Sequence, residues 1–270
     1  MAFVKIQNTR YHYIAAGAGP PLLLLHGFTG CTENWAEVMP ALAQQHHVFA
    51  IDLPGHGQTQ APDDVTQFTL PVVSQQLAQF INTVISSPAH VLGYSMGGRL
   101  ALYLAWAHPA QVRSLLLESA SPGLADADER AARIASDEAL AERITRDGIT
   151  AFADEWERLP LWASQRTLPA EKRQRLRALR LQNDPHGLAL SLRGMGAGAQ
   201  PSLWGKLGEL RLPTVLLAGE RDAKFVAIAQ RMADAIPRSQ LHIIPNVGHT
   251  VHLEQPEQFT AHVLAANGPF

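Results

Sequence analysis

The sequence predicts an α/β fold: a mostly parallel central sheet, helices on both faces, and a helical segment inserted late in the chain. Three observations carry this expectation. Short apolar runs alternate with helical patterns four times before residue 120. From Ser121 to about Gly205 the alternation stops and the pattern is helical throughout; it resumes at Thr214. Finally, the 270 residues are 46% hydrophobic and 17% charged, which suits one sizeable core and argues against disorder. The expected division is a core of residues 1–120 and 206–270, with residues 121–205 as a cap over the sheet.

Residues 3–7 and 10–15 alternate and read as an N-terminal hairpin. Leu22 to Leu25 is an unbroken apolar run, as in a strand covered on both faces. His26-Gly27-Phe28-Thr29-Gly30 follows at once; its glycines permit a tight loop in which Phe28 can turn its N–H inward. Residues 32–45 read as a helix with Thr32 as N-cap, and Val48 to Leu53 as a strand ending in the turn Asp52-Leu53-Pro54-Gly55-His56-Gly57. Residues 67–86 read as a helix with Pro71 in its first turn.

Next comes Ala89 to Leu92, then Gly93-Tyr94-Ser95-Met96-Gly97-Gly98-Arg99, then a helical pattern. Strand, Gly-x-Ser-x-Gly and helix together describe a sharp elbow with the serine hydroxyl at its tip. Val112 to Glu118 is a further strand. Beyond the cap, strands are expected at 214–219 and 240–244, and helices at 225–235 and from about 256.

A serine hydroxyl needs an imidazole to take its proton, and the imidazole needs an anion behind it. His249 follows the last strand and Asp222 the one before, so both fall at carboxyl ends of strands. His252 is a rival for the imidazole and Glu220 for the acid; Asp222 is preferred because it lies further past its strand. The N–H groups of Met96 and Phe28 are the candidate oxyanion donors. His26 and His56 read as loop-fixing residues. Arg99 sits early in the elbow helix, where a cation opposes the macrodipole; either it is a surface arginine or it faces an anionic ligand.

A formal net charge of −2 gives no reason to expect nucleic acid or an anionic membrane as partner. No apolar run is long enough to span a bilayer. One cysteine, Cys31, excludes an internal disulfide, and the twelve histidines show no zinc-ligand spacing. With no apolar signal region in the first residues, a cytoplasmic setting is expected.

His26-Gly27-Phe28, Asp52 to Gly57, the elbow, Gly219-Glu220-Arg221-Asp222 and Gly248-His249 resemble the α/β-hydrolase superfamily over essentially the whole chain. Narrower stretches resemble one member family, the 2-succinyl-6-hydroxy-2,4-cyclohexadiene-1-carboxylate (SHCHC) synthases of menaquinone biosynthesis. They are His26 to Gly30, Gly93 to Arg99, Ser121-Pro122-Gly123-Leu124 with Glu129-Arg130 and Arg133, Leu192 to Gly196, Gln200 to Trp204, and Arg221 to Phe225. The resemblance implies a lyase that eliminates pyruvate from 2-succinyl-5-enolpyruvyl-6-hydroxy-3-cyclohexene-1-carboxylate. It implies no metal and no organic cofactor. It implies a small polycarboxylate substrate, held by Arg99, by Arg133 or its near neighbour Arg130, and by Arg180. Tyr94 and Trp156 are candidate pocket walls, with a packing role as the alternative for Trp156. A carboxylic-ester or C–C bond hydrolase with the same triad is the alternative reaction, and a non-catalytic binding protein of this fold the third reading.

Overall fold

A computed structural model describes residues 2–266. Eight strands form one sheet in the order β1-β2-β4-β3-β5-β6-β7-β8: β1 Ala2–Ile6, β2 Thr9–Ala16, β3 Pro21–Leu25, β4 His47–Ile51, β5 Ala89–Tyr94, β6 Val112–Glu118, β7 Thr214–Gly219 and β8 Ser239–Ile244. β1 and β2 pair antiparallel, as do β2 and β4; every other pairing is parallel. The helices are α1 Met39–Leu42, α2 Leu70–Phe80, α3 Met96–Ala107, α4 Ala127–Trp156, α5 Ala170–Leu181, α6 Pro185–Met195, α7 Ala223–Ala235, α8 Val251–Glu254 and α9 Pro256–Ala266. Among the described residues no helix is long and apolar enough to cross a membrane.

The unbroken apolar strands follow from cover on both faces. Leu23 and Leu25 point into one core with Leu77, Phe80, Leu100 and Met232 of α2, α3 and α7. Leu22 and Leu24, one residue out of phase, enter the other with Trp35, Leu42, Phe259 and Val263. Side chains alternate along a strand, so a strand covered on both faces carries apolar residues at successive positions. Between β6 and β7 the chain forms α4, α5 and α6, with a smaller core of Ile144, Phe152, Leu188 and Leu192. Asp126 caps α4 by accepting the Asp128 and Glu129 N–H groups, and Gly148, at φ 81°, interrupts its helical dihedrals.

Two helices differ from expectation. Residues 32–45 are not continuous: a 3₁₀ turn, Thr32–Trp35, is followed by the single turn of α1. Cys31, not Thr32, precedes the first turn, because the Thr32 N–H is donated to Asp52 Oδ1 at 2.7 Å. Pro40 has no N–H to carry a helix across the junction. The helix expected at 67–86 is a 3₁₀ turn (Val65–Phe68), extended Thr69, α2, and a π turn (Ile81–Ile85). Pro71 does occupy the first turn of α2, where its missing N–H needs no partner.

Candidate active site

The site is built at the carboxyl ends of β3, β5, β7 and β8. Ser95, between β5 and α3, has φ 51° and ψ −109°, a conformation L-residues rarely adopt. Its N–H donates to the Glu118 carbonyl of the neighbouring strand at 2.9 Å. The turn is this tight because its flanking glycines carry no Cβ: one on Gly97 would lie 2.2 Å from the Leu25 oxygen, and one on Gly93 2.3 Å from the Gly97 oxygen. Met96 begins α3, so its N–H has no intrahelical acceptor.

His249 Nε2 lies 3.1 Å from Ser95 Oγ, and His249 Nδ1 lies 2.5 Å from Asp222 Oδ2. Both His249 and Asp222 are buried. The carboxylate accepts the Nδ1–H, leaving Nε2 free to accept the serine proton. Three residues separated by up to 154 positions thus form one relay. The two rivals are engaged elsewhere. His252 Nδ1 and N–H both donate to the buried Glu118 carboxylate, at 2.7 and 3.1 Å, and its ring packs on Trp35. Glu220 accepts the Asn246 N–H on an exposed turn.

Ser95 and His249 open onto a cavity of about 260 Å³. Phe28, Tyr94, Met96, Arg99, Arg133 and Trp156 also line it. The Tyr94 hydroxyl shares a hydrogen bond with Thr250 at 2.8 Å. Phe28 packs against Trp156, and Trp162 and Phe225 flank the His249 ring, so the relay lies among aromatic walls.

Arg99 donates to the Met195 carbonyl at 2.7 Å and to Gln200 Oε1 at 3.1 Å. Among the described residues it has no carboxylate ion-pair partner. Burial, and then the nearby Arg133 charge, push its guanidinium down to about 10. Arg133 is held by Asp137 at 2.8 Å. Arg130 does not line the cavity, although it stands three residues from Arg133 on α4. Arg180 lines not this cavity but an adjoining one of about 40 Å³, which shares Tyr94, Trp156 and Trp162 as walls. In a neighbouring cleft of about 310 Å³ that both residues line, Glu157 holds the Arg180 guanidinium. Trp162 and Lys224 are among the lining residues given no site role in the sequence analysis. The signal for Lys224 is the one that marks Arg99: a cation in the first turn of a helix, against the macrodipole.

Two buried imidazoles brace the Phe28 loop. His26 Nε2 accepts the Leu53 N–H at 2.9 Å, so its Nδ1–H donates to the Gly27 carbonyl at 2.8 Å. His56 Nδ1 faces the Pro54 carbonyl at 3.1 Å, and the two rings are 5.1 Å apart. Burial lowers the pKa of both below the ordinary imidazole value; for His56 the neighbouring His26 lowers it further, while the Asp52 carboxylate partly offsets the effect on His26. Both stay neutral in the fold while the unfolded chain takes up protons below about pH 6.5. Their contribution is therefore complete above that pH and is lost as the pH falls below it toward their folded values. The melting temperature should drop between pH 7 and pH 5, and His56→Gln should flatten the slope; an equal slope in the variant removes His56 from the account.

Among the described residues no group of three or more His, Cys, Asp or Glu is placed to hold a metal ion. Residues 20–256 match the family model of the α/β-hydrolase fold. A Bacillus subtilis (strain 168) protein provisionally named 2-succinyl-6-hydroxy-2,4-cyclohexadiene-1-carboxylate synthase is 41% identical over 251 residues, 92% of this chain and 91% of that protein. The 2-succinyl-6-hydroxy-2,4-cyclohexadiene-1-carboxylate synthase of Klebsiella pneumoniae (strain 342) is 37% identical over 88% of this chain and 89% of its own length. The solved structure of MenH from S. aureus superposes with a TM-score of 0.91 at 37% identity, covering 95% of this chain and 97% of that one. The chain belongs to the α/β-hydrolase fold family and, within it, to the 2-succinyl-6-hydroxy-2,4-cyclohexadiene-1-carboxylate synthases.

Proposed function

We propose that this enzyme of menaquinone biosynthesis eliminates pyruvate from 2-succinyl-5-enolpyruvyl-6-hydroxy-3-cyclohexene-1-carboxylate, giving SHCHC, with Ser95 as the base. The observation that carries the reading is a Ser95–His249–Asp222 relay opening onto a cavity where the Arg99 guanidinium has no carboxylate of its own. A part-buried cation with no carboxylate of its own is an unfavourable arrangement that a carboxylate ligand relieves. Its planar fork can grip that carboxylate at two points.

The two names fix the bond changes. His249 draws the proton from Ser95 Oγ, and Ser95 takes the hydrogen from ring C2, next to the succinyl ketone. The C2=C3 bond forms, the ring alkene moves to C4=C5, and the C5–O bond to the enolpyruvyl group breaks. Negative charge grows on the succinyl carbonyl oxygen, where the Phe28 and Met96 N–H groups are assigned as donors. No acyl-enzyme forms, and the aromatic walls keep water from the reacting atoms. The lone cysteine supports a cytoplasmic setting, and the cavity's cations support a small polycarboxylate as the binding partner.

Adding the purified enzyme to this substrate should release one pyruvate per diene formed, followed by a coupled dehydrogenase assay. p-Nitrophenyl esters should turn over slowly by comparison. Rapid ester turnover with an acyl-enzyme burst, and no pyruvate release, would overturn the lyase reading in favour of a hydrolase.

A further inference from the structure

Lys224 stands where two cavities meet. One is the Ser95 cavity; the other is a cleft of about 450 Å³ between residues 160–167 of the cap and the start of α7. Leu161, Lys224 and His249 line both. The cleft adds Arg221, and its one carboxylate, Asp222, is already engaged by His249. Among the described residues the Lys224 ammonium has no ion pair or hydrogen bond; its recorded contact is with the Phe225 ring, 5.9 Å from the centroid.

The cations around the relay therefore fall into two groups. Arg99 and Arg133 lie close enough for the Arg133 charge to weigh on Arg99, and the two are held by Met195, Gln200 and Asp137. Lys224 is on the His249 side, beside a second opening. The proposed substrate divides the same way. Two of its carboxylates stay with the ring product, and the third leaves with the three-carbon fragment.

We propose that Lys224 anchors the carboxylate of the departing pyruvate unit and that the cleft beside it is the route by which pyruvate leaves. This rests on the elimination reading. Breaking the C5–O bond puts the electron pair on the enolate of pyruvate, while Ser95 holds the proton taken from C2 and His249 holds the one it drew from Ser95. Transfer of that proton to the enolate methylene carbon gives the methyl group and the ketone of pyruvate, and returns His249 to neutrality. The leaving fragment and the imidazolium must therefore meet, and Lys224 shares both walls with His249. A lysine suits this task. Its hydrated point charge attracts a carboxylate without the two-point grip of arginine, so an anion that has to depart is not trapped.

The test uses pyruvate and succinate as inhibitors of turnover by the wild type, Lys224→Met and Lys224→Arg. In Lys224→Met the inhibition constant for pyruvate should rise about fivefold or more and kcat should fall. Inhibition by succinate, a probe of the Arg99–Arg133 side, should be unchanged. Lys224→Arg should recover most of the pyruvate inhibition. Equal pyruvate inhibition in the wild type and Lys224→Met would overturn the assignment, as would a parallel loss for pyruvate and succinate. A wild type that releases no pyruvate from the cyclohexene substrate defeats the elimination reading itself, a result separate from either of these. Lys224 is exposed on the first turn of α7, so the variants should fold.

Discussion

Ser95→Ala should lower kcat for pyruvate release at least about a thousandfold while leaving the fold intact. The reason is geometric. Ser95 Oγ opens onto the cavity beside His249, 3.1 Å from the imidazole assigned to activate it. Alanine leaves His249 and Asp222 in place but withdraws the group that meets the substrate hydrogen. His249→Ala should match that loss, and the double variant should be little worse than either single, because the two act as a unit. Asp222→Asn should cost about ten thousandfold. Its amide would offer an N–H toward Nδ1, favouring the tautomer with hydrogen on Nε2, which cannot accept from serine. Ser95→Gly adds a second readout. It relieves the φ of 51° held by the elbow, so stability should rise by about 1 kcal/mol as activity disappears. Near-full activity in Ser95→Ala would remove serine as the base.

The sheet was legible because its strands carry their own signature. Leu22 to Leu25, Val91 with Leu92, and Leu115 to Leu117 feed both cores by alternation, so unbroken apolar runs could only be two-sided strands. The elbow was legible because Gly93 and Gly97 are required by close backbone approach, which leaves a fixed spacing around Ser95. The segment between β6 and β7 was readable as helix, but its side-chain directions were not. Arg133 faces the cavity and Arg130 does not; three residues on a helix is a near-repeat, so position alone could not separate them. Arg180 is paired with Glu157 in a neighbouring cleft, a contact between α5 and the residue that follows α4 that no local pattern encodes. The break at residues 32–45 was hidden for a similar reason. Asp52, twenty positions away, takes the Thr32 N–H that a regular cap would have used.

Arg99→Met should lower kcat/KM about a hundredfold or more with no loss of melting temperature. The two halves of this expectation have one cause. Arg99 places a guanidinium in a site where burial and a second cation push it down to about 10, offset only in part by Asp137, the carboxylate that Arg133 already holds. Its bonds are to the Met195 carbonyl and the Gln200 side chain, neutral acceptors that cannot balance its charge. In the empty cavity that charge is a burden on stability, and an apolar side chain of similar length removes it. In the occupied cavity a substrate carboxylate supplies the missing anion, and charge-assisted bonds there are worth about 1.5–3 kcal/mol each. Stability and activity should thus move in opposite directions on substitution. Arg133→Met makes the contrast, because Arg133 already has Asp137 and its removal strands a buried carboxylate, so it should lose stability as well as activity. Kinetics of Arg99→Met equal to the wild type, with a lowered melting temperature, would make Arg99 a structural residue and remove it as a carboxylate anchor.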